Sequence, residues 1–546
     1  MEQKSVAGTM VEPSLLTNPE LHTALALPLT KCSPEPNYII LRLQNNPPSR
    51  SSLTPIHNDF FAPLTLHNLP EEILAHIFFI LINNASPGSR QEQPIKTIIQ
   101  LTYRCLFILA SVCSNWRRIC LSRTAFWSLI PFYRDWKDSE SMLNLCLERA
   151  GGSNIHLGGG LTHGREQKML EVIPKYGSRI RSLNIYAEIP DKLPSIVAAL
   201  LEHSIPGSIT SLCITNHQMI QDNDYHHTWP PLFPLASPEH DRFNRYAKSL
   251  SSLRLWGLKL NWSQLRFSNL VDLQIQHIRV ENISEVADLL FVIGSAPKLH
   301  SLQLVDVRIH PEVIQTHAIE MQGGLPVFHP NLEFVFLKNI RWCLLSLLLR
   351  SIVPGSYRIV LSYTLKEYLI RYTTDLAALK ESTLQGYNID TLMTSRRWVR
   401  DSDLLHSLLK AIPTIKTLSV AQCEFTRDIL RALVRPLEPE SNDSETNFPT
   451  IRRLHIMDSS FDCPDLGGLK EVVTSHGIQA LKLGGSIGGS RSGDTSTPEG
   501  WVRFEDSRDE ERTAPTVAWL QDNVPKFLLV KHFQDLPDYD FQTYDS

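Results

Sequence analysis

The sequence predicts an α+β chain in which a short helical segment precedes a long array of strand–helix units. Three observations lead to this prediction. A spacing of apolar, two residues, apolar, one residue, apolar recurs nine times between residues 180 and 483. Between residues 69 and 127, apolar residues instead recur every three or four positions, as they do on helices. Hydrophobic residues make up 42% and charged residues 20% of the 546 residues, which favours a globular chain over a disordered one.

The recurring spacing predicts a repeat array over residues 136–484. The first copies are Ile180-Leu183-Ile185 and Ile209-Leu212-Ile214. Central positions 183, 212, 253, 273, 302 and 335 are 29, 41, 20, 29 and 33 residues apart, a spacing typical of leucine-rich repeats with inserted loops. Stretches such as Ser284–Ile293 and Leu404–Ile412 are expected to be helices between the strands. Together the units predict an irregular leucine-rich-repeat α/β solenoid.

The array has an irregular stretch and an alternative interpretation. Residues 362–414 match the spacing worst, so one or two repeats there are expected to be hidden or replaced. The alternative is an ordinary α/β domain whose strands happen to begin with leucine. Nine matches, several of them preceded by a proline such as Pro297 or Pro330, favour the repeat array.

The helical segment begins with clear helix-start signals. Asn68 can cap a helix, Pro70 suits the first turn, and Glu71 and Glu72 complement the positive end of the helix dipole. A second helix is predicted from the apolar positions that step by four and three residues, which are Cys105, Leu109, Val112, Trp116 and Ile119. The segment closes with a large aromatic pair, Phe126-Trp127.

This segment resembles an F-box, most closely the fungal F-box-like group. The resemblance is carried by Leu69-Pro70-Glu71-Glu72-Ile73-Leu74, Ile77-Phe78, Val112-Cys113, Trp116-Arg117-Arg118-Ile119 and Trp127. It implies an N-terminal helical F-box-like domain over residues 59–135 that binds the Skp adaptor and, through it, a cullin. The implied adaptor contacts are Leu69, Pro70, Ile73, Leu74, Ile77, Phe78, Val112, Cys113, Trp116 and Trp127. Without the resemblance, the same residues would be interpreted as the core of a helical hairpin.

The resemblance implies a substrate-recognition subunit of a Skp–cullin–F-box ubiquitin ligase, with the array binding an unknown protein target. The alternative function is a cullin-independent leucine-rich-repeat scaffold or protein-interaction module. In either case, side chains between the buried leucines are expected on a concave, target-binding face. The candidates there are Asn184, Tyr186, Arg254, Trp256, Gln274, Gln303, Arg453 and His455, with Arg254 and Trp256 favoured because exposed Arg and Trp are enriched at interface centres.

Composition argues against several other functions. The chain has 53 lysines and arginines against 57 aspartates and glutamates, a net charge of −4. This balance argues against a general nucleic-acid binder. Nine cysteines without CxxC pairs favour a reducing compartment, and no signal peptide or membrane partner is expected, so the predicted location is intracellular, cytoplasmic and/or nuclear. Because no metal framework, phosphate loop or nucleophile constellation emerges, we expect no enzyme activity and no cofactor.

The two ends of the chain differ from its middle. Residues 1–58 are rich in Pro, Ser, Thr and Asn and are predicted to form a disordered leader. Residues 485–546 are predicted to be a Gly/Ser linker followed by an acidic tail. Within that tail, Thr516–Leu529 is expected to be helical and to cap the last repeat.

Overall fold

The structure is a computed structural model. It describes residues 69–83, 95–133, 139–162, 166–188, 190–216, 230–309, 329–363, 384, 386–395, 401–436, 448–462, 466–487, 502–503 and 510–530. The predicted 1–58 leader and most of the predicted acidic tail lie outside the described residues, as do residues 437–447, where the sequence is rich in acidic residues.

Thirteen α-helices lie within the described residues. Each array helix follows a strand and presents its apolar side to that strand's buried residues, as in α5, whose Met169, Val172 and Ile173 are buried. The helices are α1 Glu71–Asn83, α2 Ile95–Val112, α3 Ser114–Ser122, α4 Ser139–Arg149, α5 Glu166–Tyr176, α6 Leu193–His203, α7 Pro238–Ala247, α8 Ile283–Gly294, α9 Trp342–Ser351, α10 Ser402–Ala411, α11 Arg427–Leu433, α12 Gly467–His476 and α13 Glu510–Asn523.

The second predicted helix is in fact two helices. The chain breaks at Cys113, whose backbone is extended (φ −156°, ψ 170°) and whose Sγ accepts a hydrogen bond from the Trp116 backbone N–H at 3.5 Å. A side-chain acceptor at this position caps a new helix, so α3 starts here as a separate helix. The apolar spacing alone did not reveal the break, because it continues through it.

One long sheet runs through the array, and its strands follow chain order. Every pairing in it is parallel except the pairing of β16 with β17. The strands are β1 Leu129–Phe132, β2 Ile155–Leu161, β3 Ile180–Ala187, β4 Ser211–Asn216, β5 Ser252–Trp256, β6 Asp272–Gln276, β7 Arg279–Val280, β8 Ser301–Val305, β9 Arg308–Ile309, β10 Phe334–Lys338, β11 Arg358–Tyr363, β12 Ile389–Ser395, β13 Thr417–Ala421, β14 Glu424–Phe425, β15 Arg453–Phe461, β16 Ala480–Ile487, β17 Val502–Arg503 and β18 Lys526–Leu529. Strands β7 and β9 form a separate pair.

The central and last apolar positions of all nine predicted spacings fall on strands and in register, and in eight copies the first position lies two residues before the strand. Leu183 of β3 pairs with Leu212 of β4, which pairs with Leu253 of β5, and the ladder continues to Leu273 and Leu302. All five of these leucines are buried, and their side chains face the helices. The chain is therefore an α/β array with a long parallel sheet whose successive units pack on their neighbours, which is the arrangement of a solenoid. We call the opposite face of the sheet, which carries the residues between the leucines, the inner face.

The irregular stretch contains one strand among its described residues. β12 supplies Ile389 and Leu392 to the core, and Asp390 bulges out of the register between β11 and β12. The buried Asp390 carboxylate lies 3.3 Å from the Arg358 guanidinium, which offsets its burial. A repeat is therefore present here but was hidden by the bulge.

The array extends beyond residue 484, where the sequence predicted a linker. β16 continues through Gly484-Gly485. The backbone of β15 lies so close that a Cβ on Gly485 would stand 1.9 Å from the Ser459 carbonyl oxygen, so only glycine fits here. Gly485 also has φ +137°, which other residues rarely adopt. The predicted helix Thr516–Leu529 divides into the end of α13 and strand β18, which pairs with β16.

Candidate interaction surfaces

The first helix divides its apolar residues between two sides. Leu74, Phe78 and Ile82, spaced by four residues, are buried in the chain's own core. Ile73 and Ile80 lie on the other side of the helix and are 49% and 44% exposed. A surface helix in a finished globular fold usually places polar residues there, so α1 keeps one apolar stripe in the core and a second in solvent.

The second helix is also apolar on its outer side. Phe107, Ile108 and Val112 are all about half exposed, although Ile99, Tyr103, Leu106 and Leu109 face the core. Within the part of the chain that the structure describes, α2 alone is long and apolar enough to cross a membrane, with a mean hydropathy of 1.4 over 18 residues. Length and composition are weak evidence for a membrane span, but they underline how apolar this helix is.

Ion pairs and aromatic contacts tie α1 to α3. The Glu71 carboxylate accepts from Arg118 at 2.7 Å and from Arg123 at 3.3 Å. The hydrogen bond from Arg118 lowers the pKa of Glu71 most, and the charges of Arg118 and Arg123 add to the effect. The rings of Phe78 and Trp116 are 4.7 Å apart. The acidic residue in the first turn of α1 thus pairs with Arg118 of α3 and with Arg123, the residue that follows this helix.

The ten predicted adaptor contacts divide into three classes. Pro70, Ile73 and Val112 are exposed, while Leu69, Ile77, Cys113 and Trp116 are half-buried. Leu74, Phe78 and Trp127 are buried, and the Trp127 indole N–H donates to the Cys120 carbonyl at 2.9 Å. The buried three therefore serve the intramolecular core, as in the hairpin interpretation. Ile80, Phe107 and Ile108 were not among the predicted contacts, although the apolar composition of the outer helix faces marks them.

The helical segment is anchored on the first strands of the array. A Cβ on Gly158 of β2 would stand 2.9 Å from Ile99 Cδ1, so this glycine allows α2 to lie directly against the sheet. The Tyr103 hydroxyl donates to the Leu129 carbonyl and accepts from the Cys146 thiol of α4. One continuous hydrophobic cluster consequently runs from Leu74 of α1 into the repeats.

A cavity of about 130 Å³ lies between the helical segment and β1. The exposed Phe79 forms part of its wall, together with Ile82, Asn83, Ile98, Thr102, Ala125, Phe126, Ser128 and Leu129. Polar groups of Asn83, Thr102 and Ser128 line it beside the apolar residues, and its volume suits a single side chain.

The inner face places the favoured pair, Arg254 and Trp256, on β5, but neither is an isolated exposed side chain. Arg254 Nε lies 2.7 Å from Asp272 Oδ2 of the neighbouring strand, so its charge is already compensated. The Trp256 ring stacks on His277, with centroids 5.2 Å apart and planes at 19°. Both side chains are half-buried, and their role in binding a target stays a prediction.

The other predicted inner-face residues differ in their exposure. Asn184 and Tyr186 are half-buried and Arg453 is exposed. Gln274, Gln303 and His455, which we expected to be accessible, are buried. Burial, reinforced by the charges of Lys482 and Arg453, lowers the pKa of His455 to about 4.

A small apolar cluster on the inner face was not predicted. Val305, Phe336 and Val360 occupy adjacent strands and are all buried, with Phe334 and Met393 packed against them. The signal was present as consecutive apolar residues in β10 and β11, where a sheet with one polar face would alternate.

A backbone turn that recurs along the array was also not predicted. The second residue after the last buried apolar residue of the repeat spacing adopts a left-handed conformation at His277, Asp306, Asn339 and Gln422, with φ between 51° and 54°. At all four positions its N–H donates to a backbone carbonyl of the next strand of the sheet, as from Asp306 to the Lys338 carbonyl at 2.9 Å. Polar residues of this kind tolerate the left-handed region better than most. The turn aligns each unit with its neighbour.

No cluster of three or more potential metal ligands lies among the described residues. The histidine- and aspartate-containing stretch at 217–227 lies outside them.

No family model matches the chain, and no curated protein matches it. Among solved structures, the chain is similar to a leucine-rich repeat protein of Leptospira interrogans, with 12% sequence identity and a TM-score of 0.23 over 64% of this chain and 86% of that one. This similarity is weak. The F-box resemblance rests on the motif residues alone and stays a prediction.

Proposed function

We propose that the helical segment, residues 69–127, docks onto the Skp adaptor of a Skp–cullin–F-box ubiquitin ligase and that the array holds a protein target. In this proposal the chain performs no bond chemistry. It raises the effective concentration of a target near the transferred ubiquitin.

The observation that carries the proposal is the concentration of exposed apolar side chains on two helices. Within the described residues, thirteen large hydrophobic side chains are exposed, and seven of them lie on α1 and α2, namely Ile73, Phe79, Ile80, Leu81, Phe107, Ile108 and Val112. Exposed apolar residues that cluster in this way mark interaction sites, whereas scattered ones need no explanation.

The anchoring of α2 supports the same proposal. Because Gly158 and Tyr103 hold α2 against the first strands, a partner bound on α1 and α2 has a defined position relative to the repeats. The cavity beside Phe79 is large enough to receive a side chain of that partner. A cullin-independent scaffold is the second candidate, and it would use the same helix faces.

Co-purification of the full chain with a Skp adaptor and a cullin tests the proposal. Trp116 packs on Phe78, so its removal would disturb the core, and exposed positions make better probes. We expect Ile73→Gln/Ile108→Gln to lose both partners, because truncating or polarising an interface anchor costs about 2 kcal/mol or more. The matched control, Ile205→Gln/Val271→Gln, changes two exposed apolar residues in the array and should retain both.

The other outcomes separate the alternatives. Recovery of the Skp adaptor without cullin would favour the scaffold. Recovery of neither partner, with sedimentation of the natural chain but not of the Ile73→Gln/Ile108→Gln variant on lipid vesicles, would assign the apolar helices to a membrane surface instead.

A further inference from the structure

At its last repeats, the inner face carries three cations that have no acidic partner in the part of the chain that the structure describes. Arg453 begins β15, Lys482 lies in β16 and Lys526 begins β18. The register places Arg453 and Lys526 on either side of Ala480, and Lys482 follows Ala480 two residues later on the same face. We call this group of three cations around Ala480 the terminal basic surface.

The dimensions of this surface follow from sheet geometry. Adjacent strands lie about 4.8 Å apart, so the backbones at Arg453 and Lys526 are about 10 Å apart. Ala480, with its small side chain, forms a low floor between them. Arg453 and Lys526 are exposed and Lys482 is half-buried, so ligands can reach the surface.

Among the described residues, no acidic side chain compensates the charges of these three residues. Arg453 Nε donates to the neutral Thr417 hydroxyl at 2.8 Å, and within the described residues no carboxylate pairs with any of the three. A single acidic residue, Asp458, occurs in the four strands β13, β15, β16 and β18. It lies in β15, five residues after Arg453. Arg254, earlier on the same face, is by contrast paired with Asp272.

We propose that the terminal basic surface binds an extended acidic segment of a partner protein through two or more carboxylate side chains. Alternate side chains of an extended peptide lie about 6.8 Å apart, which matches cations spread over about 10 Å better than one compact anionic group does. Leu528 is 50% exposed and in register with Lys482, so it offers an apolar contact beside the charges. This binding does not depend on what α1 and α2 bind.

Fluorescence anisotropy with the full chain tests this inference. The probe is a labelled peptide of alternating Glu and Gly, and its control is the same peptide with Gln in place of Glu. We expect the Glu peptide alone to bind, and Arg453→Gln/Lys482→Gln/Lys526→Gln to weaken binding about tenfold, since each accessible ion pair contributes modestly. The matched control, Lys192→Gln/Lys248→Gln/Lys410→Gln, removes the same charge from exposed positions outside the surface and should bind as the natural chain does.

A pKa measurement on His455 tests binding at the terminal basic surface without any substitution. His455 lies beside Lys482 and Arg453, so bound carboxylates should raise its pKa from about 4 in a histidine NMR titration. The Gln peptide should leave it unchanged.

Four results would overturn the inference. The first is that the Glu peptide does not bind. The second is that the two triple variants weaken binding of the Glu peptide equally. The third is that a single-stranded oligonucleotide binds through the same three residues more tightly than the Glu peptide does. The fourth is binding of the peptide only after Asp535, Asp538, Asp540 and Asp545 are changed to Asn, which would make the chain's own acidic tail the occupant.

Discussion

The helical segment and the repeat array bury their apolar residues to different extents. In the array, the leucines that define the repeat are almost completely buried, because each unit packs on the next. In the helical segment, α1 and α2 fill one side of the core and leave a second apolar side in solvent. The array is thus complete as a fold, whereas the helical segment has apolar surface that a partner would cover.

The largest expected difference in the free energy of unfolding is between two substitutions, one at a buried leucine of the array and one at an exposed apolar residue of α2. Leu302→Ala removes a side chain with no exposed surface and should lower the free energy of unfolding by about 3 kcal/mol. Ile108→Ala, at a side chain that is 56% exposed, should change it by less than about 0.5 kcal/mol. Urea unfolding of both variants measures the difference. Equal losses would show that α2 is buried in solution.

The second largest loss of stability is expected at the contact between α2 and β2, where the helical segment packs on the array. Gly158→Val puts a branched side chain where even a Cβ would be 2.9 Å from Ile99, so we expect a loss of about 2 kcal/mol. Gly152→Ala is the control, because nothing lies within 4 Å of its Cβ. Limited proteolysis should cut Gly158→Val first between the helical segment and β3. Unchanged cleavage and stability would show that α2 does not rest on the sheet.

On the inner face, removing one member of the internal ion pair should have a smaller effect. Arg254→Gln leaves the largely buried Asp272 carboxylate without its partner and should cost about 1 kcal/mol. Arg254→Gln/Asp272→Asn should recover most of that loss, since no unpaired charge remains. Thermal unfolding of the two variants and the natural chain decides this. A double variant no more stable than the single one would contradict the assigned pairing.

Acidification should affect the array before the helical segment. His476 donates from Nε2 to the Leu433 carbonyl at 2.8 Å and accepts the Ile451 N–H at Nδ1, and burial lowers its pKa from 6.5. The unfolded chain therefore takes up this proton first, and stability should fall as pH drops below about 6.5. Glu71, whose pKa is lowered, contributes above pH 4.5 and loses its contribution only as pH falls below that value.

Unfolding midpoints at pH 7 and pH 5 check this order. We expect His476→Gln, which cannot titrate, to show a smaller fall between the two values than the natural chain. Glu71→Gln should show the same fall as the natural chain. The reverse result would place the acid-sensitive contacts in the helical segment.

Much of the fold was predictable because the leucine ladder repeats a physical requirement. Each buried position must be apolar in every unit, so nine copies of the spacing located nine strands. The strand at Ile389 was hidden because Asp390 bulges within it, and the break at Cys113 was hidden because the apolar spacing continues across it. Gly484-Gly485 suggested a linker, although a close backbone approach requires Gly485 inside a strand.

The candidate sites were less predictable than the fold. Helical spacing identified which residues of α1 and α2 are apolar but could not distinguish the side that the core occupies from the side left in solvent. On the inner face, strand alternation located Arg254 correctly, but its pairing with Asp272 depends on the neighbouring strand. The grouping of Arg453, Lys482 and Lys526 likewise depends on a register that joins residues far apart in sequence.

Hydrogen–deuterium exchange of the full chain, with and without a purified Skp adaptor, tests the central claim most directly. If the adaptor covers the exposed apolar sides of α1 and α2, peptides spanning 71–83 and 95–122 should gain protection. Peptides spanning the leucine ladder should exchange as before. Unchanged exchange in both helices at saturating adaptor, or protection confined to the array, would contradict the claim.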